Sequence, residues 1–197
     1  MRSSVLFVLL GIAIAANGCG GSTNGGGTGG AGGAPACSTA TGPNSGATCN
    51  VVAAGGPCVP TTFSTAAPPT PAGGPFAAGT YDLVSRTFYG SAEIESSFLP
   101  GVAIRQTYVL SDVTSTSFTL DQVEISGTVV ARSHETAAVS GTTATFTQTC
   151  PDPDGGIDWS GSTEFTATSS SITLFRTSTV LQSMMVLIEV TVYNKAP

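Results

Sequence analysis

Thr142-Thr143-Ala144-Thr145-Phe146-Thr147-Gln148-Thr149-Cys150 is the stretch that decides the fold, because its side chains alternate without a break. In an extended chain successive Cβ atoms point to opposite faces, so Ala144, Phe146, Gln148 and Cys150 share one side and the threonines the other. A strand with one buried and one solvated side, as in an antiparallel sheet, needs this pattern. Ser140-Gly141 before it and Pro151-Asp152-Pro153-Asp154-Gly155-Gly156 after it are turn and loop sequences.

Outward from this stretch the same grammar repeats. β-Branched and aromatic runs at 80–89, 102–110, 117–125, 128–138, 162–168, 171–177 and 182–193 are separated by Gly, Ser, Asp and Pro, and no apolar pattern of helical period exceeds two turns. With 142–150 these make about eight strands and no helix. In the second, Val102, Ile104, Tyr108 and Leu110 share a face. In the third, the apolar set shifts from Phe118 and Leu120 to Val123 and Ile125, which predicts a bulge near Asp121. In the last, Met184, Val186, Ile188, Val190 and Val192 are expected to point inward together. Eight sequential strands joined by short turns predict an all-β domain: a single up-and-down antiparallel barrel, with a Greek-key or jelly-roll β-sandwich as the alternative.

The N-terminal end carries different information. Arg2 precedes an apolar stretch from Val5 to Ile14, about ten residues and too short to span a bilayer of roughly 30 Å. Small residues follow, Ala15-Ala16-Asn17-Gly18, and end at Cys19. The pattern predicts a signal peptide over 1–18 and lipid attachment at Cys19, whose acyl chains, at about 0.8 kcal/mol per buried methylene, would anchor the chain to a membrane. Gly20 after the cysteine favours the outer membrane. Residues 20–35 hold almost nothing but Gly, Ser, Thr and Ala, too little apolar surface to offset the entropy of ordering. A spacer of this length would hold a domain roughly 20 Å from its anchor. The Pro-rich run 66–71 is a stiffer second linker. The expected organisation is a signal peptide (1–18), a lipidated cysteine with a disordered Gly/Pro-rich linker holding three further cysteines (19–78), and the β-domain (79–197).

Loss of Arg2 with the signal leaves five basic and twelve acidic residues, a net charge of −7. That balance argues against nucleic acid and anionic membrane surfaces as partners. Cys37, Cys49, Cys58 and Cys150 are an even set in an exported chain and predict two disulfides, in one of three connectivities. Cys49 with Cys150 and Cys37 with Cys58 is the favoured one, because a closed loop of about a hundred residues stabilises by roughly 4 to 5 kcal/mol.

Ala72-Gly73-Gly74 leading into Gly79-Thr80-Tyr81-Asp82-Leu83-Val84, then Phe88-Tyr89-Gly90, Thr149-Cys150-Pro151 and the closing Tyr193-Asn194-Lys195 resemble the lipocalin-like (calycin-type) barrel domains of exported bacterial lipoproteins. Gly79-Thr80-Tyr81 takes the place of the family's Gly-x-Trp opening, with Tyr for Trp. The resemblance implies a closed barrel whose interior either binds a small apolar molecule or is simply filled.

Tyr81, Tyr108, Phe118, Phe146, Phe165, Ile188 and Val190 are the expected lining of such a cavity. His134, the single histidine, lies beside Glu135 but on the opposite face of its strand. Glu93 and Glu95 at i, i+2 would share a face in an extended loop. Asp152, Asp154 and Asp158 have the spacing of a weak calcium loop, for which a polar turn is the plainer reading; Trp159 beside them suits a partly buried rim. No Gly-x-Ser-x-Gly elbow is present. Sequence alone therefore predicts no enzyme, no cofactor and no metal, but a lipid-anchored module that binds a small apolar ligand, or alternatively a structural or interaction domain of the cell envelope with a filled core.

Overall fold

The computed structural model describes residues 37, 44–45, 48–95, 103–150, 160–180 and 185–197. The signal peptide, Cys19, the glycine spacer 20–35, the aspartate loop with Asp152, Asp154 and Asp158, and Trp159 lie outside the described residues.

Every predicted strand is present: β3 (Gly79–Tyr89), β4 (Ile104–Ser111), β5 (Ser117–Ser126), β6 (Val129–Ser140), β7 (Thr143–Cys150), β8 (Gly161–Ala167), β9 (Ser171–Val180) and β10 (Met185–Lys195). Each pairs antiparallel with its neighbours in sequence, and β10 returns to pair with β3, so the sheet closes in a ring. Closure leaves no exposed sheet edge where strands are paired on both sides. The β5–β6 and β6–β7 hairpins turn through Gly127 (φ 58°) and Gly141 (φ 59°), each the first of two loop residues, where a left-handed backbone favours glycine.

Additional elements precede the ring. β1 (Asn44–Ser45) runs parallel to Val130–Ala131 of β6, and β2 (Thr61–Ser64) runs parallel to Arg86–Tyr89 of β3. β4 pairs only with Gly79–Asp82 of β3, so the second half of β3 needs another partner for its backbone groups, and β2 is that partner. Val59 is bridged to Ile104 at the start of β4. Residues 48–78 therefore differ from the disordered linker expected there. Val59 joins the core and Phe76 packs against it, whereas Val51 is exposed. The stretch 66–71 makes no sheet pairing and is mostly exposed.

A strap over 49–58 crosses the outside of β4, β5 and β6. Asn50 Nδ2 donates to the carbonyls of Gln122 (3.0 Å) and Ser133 (2.7 Å), Arg132 donates to Asn50 Oδ1 and the Val52 carbonyl, and Gly55 N donates to Thr107 Oγ1 (2.8 Å). Disulfides Cys49–Cys150 and Cys37–Cys58, the favoured connectivity, tie it down. Val123, paired to Thr107 on one side and Arg132 on the other, is buried on this outer face.

The structure differs from several sequence expectations. β5 carries no bulge: its register runs unbroken on both sides, and Val123 faces out because the strap covers it. Bulges occur instead between Val192 and Tyr193 against β3, leaving Val84 unpaired, and between His134 and Glu135 against β7, leaving Thr149 unpaired. The second moves Cys150 to the face of His134, away from Gln148 and toward Cys49. A one-turn helix, α1 (Ala92–Glu95), follows β3 where none is expected. There Glu93 and Glu95, both exposed, are about 200° apart around the axis rather than on one face.

Candidate functional site: the ring interior

The pairing registers place Tyr81, Leu83, Tyr108, Leu110, Phe118, Leu120, Ala137, Ala144, Phe146, Phe165, Ala167, Ile172, Leu174 and Tyr193 inside, in one buried cluster. One end is plugged from outside the strands by Phe76, whose ring centroid lies 4.5 Å from those of both Phe118 and Phe165. Tyr81 is fully buried at the same end and donates its hydroxyl to the Ala77 carbonyl at 2.8 Å. Gly74 permits the close approach that positions this plug, since a Cβ there would sit 2.2 Å from the Ala167 carbonyl oxygen. The space left among Phe76, Tyr108, Phe118, Phe146 and Leu174 is about 10 Å³. That is at the lower limit for one water molecule and far below the few hundred Å³ of a small-molecule site.

Tyr81, Tyr108, Phe118, Phe146 and Phe165, expected to line a cavity, are core residues packed against one another. Ile188 and Val190 are not inside. Tyr193, Thr191 and Glu189 pair with inward residues of β3 and β9, so the period of two puts Val186, Ile188, Val190 and Val192 on the outer face. The expectation that these four point inward is corrected by this register; Met184 lies outside the described residues.

Beyond the aromatic end the interior becomes polar, which the sequence reading missed. Tyr108 and Tyr193 stack with centroids 4.3 Å apart, and Tyr193 donates to Gln106 Oε1 at 2.6 Å. Arg176 Nη2 lies 3.4 Å from the Tyr108 hydroxyl, and Arg86 Nε donates to Glu189 Oε1 at 2.5 Å. Ser133 donates to Glu135 Oε1 at 2.7 Å. Glu124 faces the same space from β5, paired with Gln106. The Gln122 side chain is fully buried, and neither its Nε2 nor its Oε1 makes a hydrogen bond among the described residues; the same holds for Gln106 Nε2 and Thr191 Oγ1.

Burial raises the pKa of Glu124, partly opposed by Arg86 and Arg176. It also raises those of Tyr108 and Tyr193, keeping both phenols neutral. At Arg176 burial opposes the charge, while the Glu189 and Glu135 carboxylates favour it. The layer can hold charge and hydrogen bonds in a fixed register. In it Ser133 is bonded to a carboxylate with no histidine at hand, for His134 points outward, its Nδ1 2.6 Å from Asp121 Oδ1. Among the described residues no three His, Cys, Asp or Glu side chains are placed to hold a metal ion. At the other end Phe63, Ile94 and Leu187 meet around Gly90, where a Cβ would fall 2.7 Å from Leu187 Cδ2.

No family model, curated protein or solved structure matches this chain.

Proposed function

We propose that the chain is an exported lipoprotein, anchored through an acylated Cys19 after loss of residues 1–18, that presents a lipocalin-like barrel as a non-catalytic structural or interaction domain of the cell envelope. The observation that carries this reading is the filled apolar interior: side chains that would line a ligand cavity leave about 10 Å³ between them. A small apolar ligand would need the volume that Phe76, Phe118, Phe146 and Phe165 occupy. The closed antiparallel ring and the plug of Phe76 with Tyr81 beside Gly79-Thr80-Tyr81 support a lipocalin-like barrel, and the disulfides are in keeping with an oxidising compartment.

Titration with fluorescent apolar probes tests the filled core. The wild-type protein is expected to show no saturable binding, whereas Leu174→Ala, which opens a void among aromatic side chains, is expected to bind a benzene-sized molecule. Saturable one-to-one binding by the wild type would overturn the reading. Labelling in cells with radioactive palmitate tests the anchor: the label is expected on the wild type and absent from Cys19→Ala.

A further inference from the structure

The two disulfides differ in what their sulfurs face. Cys58 Sγ accepts from Arg105 Nη2 at 3.6 Å and from the Cys37 backbone N–H at 2.9 Å. Arg105 lies between the inward Ile104 and Gln106 on β4, so it projects from the outer face, where the strap ends at Cys58. Its Nε is buried without a hydrogen-bond partner, and no carboxylate among the described residues pairs with it; Asp82, the outward carboxylate opposite Thr107, accepts from Thr107 Oγ1. The guanidinium thus has a sulfur, not a carboxylate, for its neighbour. Around Cys49–Cys150 the cations are engaged elsewhere. His134, opposite Cys150, has its Nδ1 2.6 Å from Asp121 Oδ1, and Arg132 donates to Asn50 Oδ1 and the Val52 carbonyl.

We propose that Cys37–Cys58 is a thiol-exchange site, opened by a small thiol that attacks Cys37 and expels Cys58. The incoming thiolate bonds to Cys37 Sγ as the bond to Cys58 breaks, and Cys58 leaves as a thiolate beside the Arg105 guanidinium. A second thiolate then attacks the incoming sulfur and releases the two added thiols as a disulfide, leaving Cys37 as a thiolate that takes a proton from water. The two electrons that reduce the protein disulfide come from those thiols. A neighbouring guanidinium lowers the pKa of a thiol, and the sulfur with the lower pKa leaves faster, so Arg105 fixes the direction of attack. Cys58 stays beside Arg105 once the bond is broken, because Val59 N donates to the Ile104 carbonyl at 2.7 Å and Ile104 N to the Val59 carbonyl at 3.0 Å. Both sulfurs belong to half-buried residues, within reach of a small thiol. The bonds also differ in what they close: 21 residues separate Cys37 from Cys58, against 101 for Cys49 and Cys150, and the longer loop resists reduction more in the chain-entropy account. Exchange at Cys37 therefore releases that residue while Asn50, Arg132 and Cys49–Cys150 hold the strap.

The test uses the oxidised full chain carrying Cys19→Ala, so that no free thiol competes and the outcome is independent of lipid attachment. The protein is exposed to reduced glutathione or to uncharged 2-mercaptoethanol, quenched with N-ethylmaleimide at intervals, and mapped by peptide mass spectrometry. The expected result is the added thiol on Cys37 and maleimide on Cys58, with Cys49 and Cys150 still bonded to each other. Arg105→Met should slow the opening at least about threefold with both reagents, the effect of a roughly tenfold change in leaving-group acidity at a Brønsted slope of about 0.5. Arg105→Lys, which keeps the charge, should restore most of the rate. A merely structural role for Arg105 moves the rate the other way, since loosening the contact exposes the sulfurs and speeds attack. The added thiol on Cys58 with maleimide on Cys37, opening of Cys49–Cys150 first, an unchanged or faster rate in Arg105→Met, or slowing confined to the anionic glutathione would each overturn the proposal.

Discussion

Phe76 stands three residues before β3 in a run of glycines and alanines, yet its ring closes one end of the sheet against Phe118 and Phe165. Phe76→Ala should lower the unfolding free energy by about 3 kcal/mol, read as a shift in the midpoint of guanidinium unfolding. A loss below the noise of that measurement would mean the plug is not part of the core. Glu124 supplies a second residue-scale outcome. Its pKa is raised on folding because burial disfavours the carboxylate. The folded state therefore binds the proton more tightly than the unfolded one. Stability should fall as pH rises from the unfolded value near 4.5 through the raised folded value. Glu124→Gln should flatten that slope in melting temperature between pH 4.5 and 8, and an unchanged slope would count against the assignment. Neither role is written in the sequence. A lone Phe among small residues resembles any linker aromatic, and Glu124 becomes interior only through the unbroken register of β5.

At the scale of elements, strand existence was legible because each run alternates and ends in Gly, Ser or Asp. The facing of β10 was not. Its Val and Ile residues have the alternation of a buried face, but Tyr193, stacked on Tyr108, fixes the opposite parity, and a single residue of register reverses every side chain. The strap was hidden for a different reason: it is held by the Asn50 amide, Arg132 and two disulfides, and the carbonyls that accept from Asn50 Nδ2 lie 72 and 83 residues away. Removing Cys49–Cys150 by paired serine substitutions should cost about 4 to 5 kcal/mol, and removing Cys37–Cys58 about 3, in the chain-entropy account. Only the first should also speed hydrogen exchange at 121–124 and 132–134, beneath Asn50; equal exchange in the two variants would show that the strap does not depend on its long-range bond.

For the whole molecule, ring closure follows from eight strands that each pair with their neighbours in sequence, and the hairpin turns of that order could be read from the sequence, although residues 90–103 and 151–160 make longer connections. The contents of the ring could not. Whether inward aromatics surround a cavity or fill it depends on how side chains from different strands interdigitate, and Phe76 enters from a segment with no strand signature. The polar layer of Arg86, Arg176, Glu124, Glu135 and Glu189 was equally hidden, since scattered charges in a sequence resemble a solvated surface. The account turns on the filled core, and native mass spectrometry of the protein purified from its own envelope tests it most directly. The predicted spectrum is a single chain carrying only its covalent lipid and no retained small molecule. A stoichiometric apolar adduct, released intact on collisional activation and lost in Phe146→Trp, would contradict it.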